Sequence, residues 1–151
     1  LGDLRGAKDA WQRAQAAHPN HAEAHFNMGL LLARTGSHSA AIDHFDRALA
    51  LGEDPEILLE KGHVLVAVRR LDEAAAVYRR KVALDPKDAA SRHNLAQVLL
   101  AAGEDHIQQG FNSQGVANWR EARTVLVELL QLQPHHNRAQ MRLAQLEERL
   151  R

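Results

Sequence analysis

The sequence predicts an all-α fold, a tandem array of helix–turn–helix units packed side by side. Three observations carry that prediction. The first is an internal repeat: Gly29, Ala41, Phe45 and Ala48 recur at one constant offset as Gly62, Ala74, Tyr78 and Lys81, and Leu31-Leu32 recurs at the same offset as Val64-Leu65. Self-similarity at such a period marks stacked supersecondary units, none of which buries its apolar face alone. The second is composition, dominated by Ala and Leu with only 4% aromatic residues, which favours close-packed helices over strands. The third is apolar residues at i, i+3, i+4 and i+7, interrupted by Gly and Pro at regular intervals.

Length and charge narrow the function classes. A chain of 151 residues suits one domain or an array of three to four units, and 45% apolar with 25% charged residues is a globular balance. Nineteen basic residues offset nineteen acidic ones, so no net field draws the chain to nucleic acid or to an anionic membrane. Without cysteine there is no disulfide framework and no thiolate metal site. No run of eighteen apolar residues exists, so no direct membrane insertion is expected. The chain opens on Leu1 within a unit and lacks an initiator Met, which reads as a fragment, with a signal or anchor upstream left open. The compartment stays open, leaning to the cytoplasm, with the periplasm an alternative if such a signal exists.

In order, Leu4, Ala7, Trp11 and Ala14 share one helical face, and Pro19 closes that helix. A helix from about His21 to Arg34 follows, using Ala22, Phe26, Gly29, Leu30 and Leu32 for packing. Gly36 supplies a left-handed turn and Ser37 a cap for the helix from about His38 to Leu51. Gly52-Glu53-Asp54-Pro55 is a break whose Pro suits a first helical turn. Helices at Pro55–Val68 and Leu71–Leu84 repeat the scheme, and Asp88 caps the next. From Ala89 the pattern continues through Leu95, Ala96 and Leu99 to Gly103, then departs. Gly103 precedes Ala122 by about five helical turns of chain, where Gly36 precedes Ala41 by about one and a half. About fourteen residues, roughly 104–117, are therefore inserted, about four helical turns. They are expected to lengthen both helices of the pair, with Phe111-Asn112-Ser113 at the tip; a loop rich in Gly110, Asn112, Ser113 and Gly115 is the alternative. Met141, Leu143, Leu146 and Leu150 make the last stretch an amphipathic cap with a wet outer face.

These residues resemble the tetratricopeptide repeat, a helix–turn–helix unit of about 34 residues. The matching positions are Gly29, Ala41, Phe45 and Ala48; Gly62, Leu71, Ala74, Tyr78 and Pro86; and Ala96, Gly103, Ala122 and Pro134. Gly2, Ala7, Trp11, Ala14 and Pro19 look like the second half of a unit. The resemblance divides the chain into 1–21, 22–54, 55–88, 89–136 with the insertion, and a capping helix at 137–151. Some positions depart from the family pattern. Lys81 stands where a small residue is usual, Arg69 where the turn Gly is, and Glu53 where a closing Pro is. His25, Leu58 and Arg92 replace the large aromatic at the start of each first helix.

The resemblance implies a right-handed α-solenoid whose concave face, lined by the first helix of each unit, holds a peptide or partner helix. The binding residues it implies are Phe26, Asn27, Leu30, Leu59, Glu60, His63, His93, Asn94, Gln97, Arg138, Met141 and Arg142, with Glu23, Arg34 and Glu56 beside them. Asn27 and Asn94 occupy equivalent positions, and an Asn amide both donates to and accepts from a peptide backbone. A chaperone-type carboxylate clamp is not expected, because Phe26 and His93 stand where it needs Lys and Leu30 where it needs Asn. Phe26, Leu30, Leu59 and Met141 suit an amphipathic helix or an apolar peptide better.

Other chemistry has little support. His21 and His25 are four apart on a helix, a spacing able to share Zn²⁺, but the first lacks the adjacent Glu of a zincin helix and no third ligand is near. His135-His136 is equally incomplete. Ser37, Ser39, Ser91 and Ser113 fall at helix starts or turns, where capping accounts for them. The basic residues Arg69, Arg70, Arg79, Arg80 and Lys81 read as a solvated face partnered by Asp72, Glu73 and Asp85. No enzyme activity, metal or cofactor is expected, and the expected partners are proteins or peptides. Two alternatives stand beside the scaffold: the interaction arm of a larger enzyme or membrane-anchored assembly factor, and a module that self-associates through the open face near Leu1, Leu4 and Trp11.

Overall fold

A computed structural model describes residues 21–151 together with Gly6, Ala7, Asp9, Ala10, Gln12 and Arg13, which are helical. The readings made on Leu1, Gly2, Leu4, Trp11, Ala14 and Pro19, including the self-associating face, lie outside the described residues. Between 21 and 151 the chain forms seven helices and no strand, so the all-α class holds among the described residues. Two units divide between Arg69 and Arg70.

The first unit contains α1 (Ala22–Arg34), α2 (His38–Leu51) and α3 (Pro55–Ala67). Capping sets the starts of two of them. His21 Nδ1 accepts from the Ala24 amide at 3.3 Å. Asp54 Oδ1 accepts from Glu56 N at 2.7 Å and Ile57 N at 3.4 Å, with Pro55 in the first turn. Ser37 holds the cap position of α2 but makes no side-chain cap bond, contrary to expectation. Gly36 (φ 81°) closes α1, and the Ser37 amide reaches back to Leu32 O at 2.8 Å. Arg69 takes the same left-handed conformation (φ 62°) after α3 without the freedom of glycine.

The core of this unit is a close crossing of α1 and α2. Phe45, Ala41 and Ala48 are fully buried. Gly29 is required there, because a Cβ on it would lie 2.5 Å from Phe45 Cε1. His25, at the family's aromatic position, is 3% exposed and meets His44 ring to ring at 5.4 Å, with an Nδ1–Nδ1 hydrogen bond of 3.2 Å.

The second unit contains α4 (Leu71–Leu84), α5 (Ala89–Gln108), α6 (Asn112–Leu132) and α7 (Asn137–Arg149). The lengthened pair is helical throughout, at 20 and 21 residues. Gly103 lies inside α5, and the left-handed residue at the turn is Gly110 (φ 85°). Ala96 to Gly110 is about four turns of helix where Gly29 to Gly36 is about two, and Gly110 to Ala122 is about three where Gly36 to Ala41 is about one and a half. Each helix is therefore longer by about two turns, which keeps its apolar face in register. Gly103 and Gly115 meet where α5 and α6 cross, beside Trp119 and Ile107.

Lys81 also departs from its reading as part of a solvated face. It is buried, and its ammonium donates to Asp88 Oδ2 and Ser91 Oγ, each at 2.6 Å. The Ser91 hydroxyl donates to the same carboxylate, and Asp88 Oδ1 caps α5 by accepting from Ala90 N at 3.0 Å and Ser91 N at 3.2 Å. Burial alone would raise the Asp88 carboxyl; the bonds from Lys81 and Ser91 outweigh it and bring its pKa down to about 2.

Candidate partner-binding faces

In the first unit the predicted residues sit on α1 and α3. Phe26, Asn27 and Leu30 are half-buried on α1; Leu59 and Glu60 are half-buried and His63 exposed on α3. Phe26 belongs in part to the core, its ring 6.1 Å from that of Phe45. His63 Nδ1 lies 3.9 Å from Glu60 Oε1 on the same helix.

The second unit gathers its predicted residues more tightly. A cleft of about 540 Å³ runs between α5 and α7. Gln97, Leu100, Ala101 and Glu104 line it from α5, and Arg138, Arg142, Gln145, Leu146 and Arg149 from α7. Gln97, Arg138 and Arg142 are thus brought together, and His93 lines a small recess at one end. Asn94 lies half-buried outside the cleft, and Met141, 63% exposed, lies outside it too.

Side-chain contacts hold both ends of this cleft. At one end the His93 ring stacks on His136 at 5.0 Å, and the Gln97 amide bonds His93 Nε2. Burial, His136 and Arg138, in that order, push the His93 pKa below its usual value. His136 Nδ1 accepts from the Ala139 amide at 3.1 Å and so caps α7. At the other end Arg149 pairs with Glu104 at 2.8 Å and lies 5.3 Å from the centre of the Trp119 ring. Sequence reasoning missed Leu100, Ala101, Glu104, Gln145, Leu146 and Arg149. Gln145 stands as far after Gln97 as Met141 does after His93, so the spacing carried a signal for it. Glu104 lies in the lengthened part of α5, which has no counterpart elsewhere in the chain.

The histidine and basic clusters resolve into local structure. His21 spends its Nδ1 on the cap of α1, and His25 turns into the core onto His44. Among the described residues no group of three or more His, Asp or Glu side chains is arranged around a metal position. Arg70 pairs with Glu73 through two bonds of 2.7 Å, as the spacing suggested. Arg79 instead pairs with Glu121 at 2.6 and 2.8 Å, and Asp72 meets His106 at 3.3 Å. No described helix is long and apolar enough to cross a membrane.

Comparison with known proteins identifies the family and the fold. A sequence-family model described as tetratricopeptide repeat matches residues 1–56, 59–105 and 114–151. The human (Homo sapiens) Protein O-mannosyl-transferase TMTC1 is 34% identical over 84 residues, which are 56% of this chain and 10% of that protein. The chain thus aligns with about a tenth of that relative's length. Among solved structures, YrrB, described as a TPR protein with an unusual peptide-binding site, superposes with a TM-score of 0.77 at 20% identity, over 99% of this chain and 71% of YrrB. MamA superposes with a TM-score of 0.76 at 20% identity, over 97% of this chain and 73% of MamA. At such identities the likeness is one of fold.

Proposed function

Since the chain belongs to the tetratricopeptide-repeat family, we propose that it is a non-catalytic protein–protein interaction scaffold with its best-formed seat for a peptide or partner helix in the α5–α7 cleft. The cleft itself carries this reading. Its volume is in the range of ligand-binding clefts, and it combines apolar lining from Leu100, Ala101 and Leu146 with polar groups at the rim. Such a surface buries a partner's apolar side chains while Gln97 and Gln145 meet its backbone. The α1–α3 residues Phe26, Asn27, Leu30, Leu59, Glu60 and His63 are proposed as a second contact face. Ser91 fits a non-catalytic role: its buried hydroxyl accepts from Lys81 and donates to Asp88.

A photoreactive benzoylphenylalanine at position 145, in cells that make the protein, tests the cleft. A discrete protein adduct from position 145, absent when the probe is moved to exposed Val127 on α6, is the expected result. Equal adducts from both positions, or none from 145, would remove the cleft as the seat.

One observation favours a second reading, in which the array is the interaction arm of a longer protein. The match to the O-mannosyl-transferase covers only a tenth of that protein, so repeats of this kind occur there beside much other sequence. The full reading frame decides it: a catalytic or membrane-spanning portion in the same chain supports the arm, and a frame filled by repeats alone removes it.

A further inference from the structure

The charges lining the α5–α7 cleft are unbalanced, although the chain as a whole carries no net charge. Glu104 is the cleft's single carboxylate, and Arg149 already neutralises it at 2.8 Å. Arg138 and Arg142 remain, with no ion pair or hydrogen bond among the described residues. They are exposed and stand four residues apart, one turn of α7, so their guanidinium groups leave from the same side. The His93–His136 stack beside Arg138 adds no carboxylate.

We propose that the cleft selects a peptide segment bearing acidic side chains, its carboxylates seated on Arg138 and Arg142 and its apolar side chains over Leu100 and Ala101. This rests on the cleft being the binding seat. A guanidinium offers paired donors that match a carboxylate, and such bonds are shorter and stronger than neutral ones. A basic segment would instead meet two uncompensated cations, and like-charge juxtaposition rejects wrong partners strongly. The apolar lining favours a peptide over a nucleic-acid backbone, which brings charge without aliphatic side chains. Two arginines one helical turn apart suit side-chain carboxylates spaced along a segment.

Selection from a library of short random peptides tests the proposal on the full chain. Enriched peptides are expected to carry more Asp and Glu than the input and to shift the amide signals of Gln97 and Arg142. Replacing their acidic residues by amides is expected to weaken binding about tenfold at low salt and less at high salt. The double charge reversal R138E/R142E, both sites exposed, is expected to enrich Lys and Arg instead. Peptides that bind in the cleft without acidic bias would overturn the charge selection and leave the seat intact. Peptides that bind elsewhere, or no enrichment at all, would overturn both. Displacement of acidic peptides by a single-stranded oligonucleotide at equal concentration would overturn the choice of a peptide partner.

Discussion

Gly103 on α5 and Gly115 on α6 face each other so closely that neither has room for a methyl group. A Cβ on Gly115 would lie 2.7 Å from the Gly103 carbonyl oxygen and 2.7 Å from Ile107 Cγ1. A Cβ on Gly103 would lie 2.3 Å from Trp119 Cδ1 and 3.0 Å from the Gly115 carbonyl oxygen. The contact brings backbone against backbone in the lengthened part of the hairpin, where α5 also presents Glu104 to the cleft.

Gly115→Ala is therefore expected to destabilise the protein. Alanine in a helix interior gains about 1 kcal/mol over glycine, but a carbonyl oxygen cannot swing aside as a side chain can. Overpacking of this kind costs about 1–3 kcal/mol, so a lower Tm is expected. A raised Tm would mean that the helices do not approach this closely.

Asp88→Asn separates the cap from the ion pair, because Asn still caps α5 while Lys81 loses its counter-charge. Leaving a buried ammonium unpaired costs about 2–4 kcal/mol. The acid limb of stability should change as well. The Asp88 pKa is depressed to about 2, so its contribution is complete above the unfolded value of about 4 and is lost as pH falls towards 2. Urea unfolding between those values should show a shallower pH slope in Asp88→Asn than in the parent.

Arg69→Gly is expected to stabilise. Arg69 holds φ 62° at the turn where Gly36 and Gly110 hold 81° and 85°. A left-handed non-glycine residue carries about 1–2 kcal/mol of strain. The added unfolded-state freedom of glycine offsets about 0.5–1 kcal/mol of the relief. A small rise in Tm is the expected result, and a fall would show that the Arg69 side chain contributes more than its backbone costs.

Two histidines should make stability fall in mild acid. Burial first, then His25 and Arg47 against the opposing Asp43, lower the His44 pKa; burial, His136 and Arg138 lower that of His93. A histidine held below its unfolded value of about 6.5 binds its proton more readily when unfolded. Its stabilising contribution is therefore present above about pH 6.5 and is lost as pH falls below it. Thermal melts at about pH 7.5 and 5.5 should show this loss, and His93→Gln should reduce it. An unchanged difference in that variant would exclude His93 as a source.

Read in one dimension, the chain already contained its class and its breaks. Leu, Ala and Gly at helical spacing, Pro55 after Asp54, Gly36 in its turn and Asp88 before α5 are local features, decided by backbone sterics and capping within a few residues. The recurrence of Gly29 as Gly62 was equally legible, because repeated units meet repeated packing demands. The cleft was half legible: Gln97, Arg138 and Arg142 followed from the family resemblance, whereas Leu146 read simply as an apolar position and Leu100 and Ala101 were not singled out.

What required the folded molecule was every choice among partners distant in sequence. Gly103 and Gly110 look alike in the chain, and only the meeting of α5 with Gly115 and Trp119 makes one a contact and the other a turn. Lys81 became a buried ion because Asp88 and Ser91 come within 2.6 Å of its ammonium, and Arg79 found Glu121 in place of nearer acids. Periodicity specifies which face of a helix is apolar. Which groups meet across that face depends on how far each helix extends and where its neighbour crosses it, and that is settled by close packing in three dimensions.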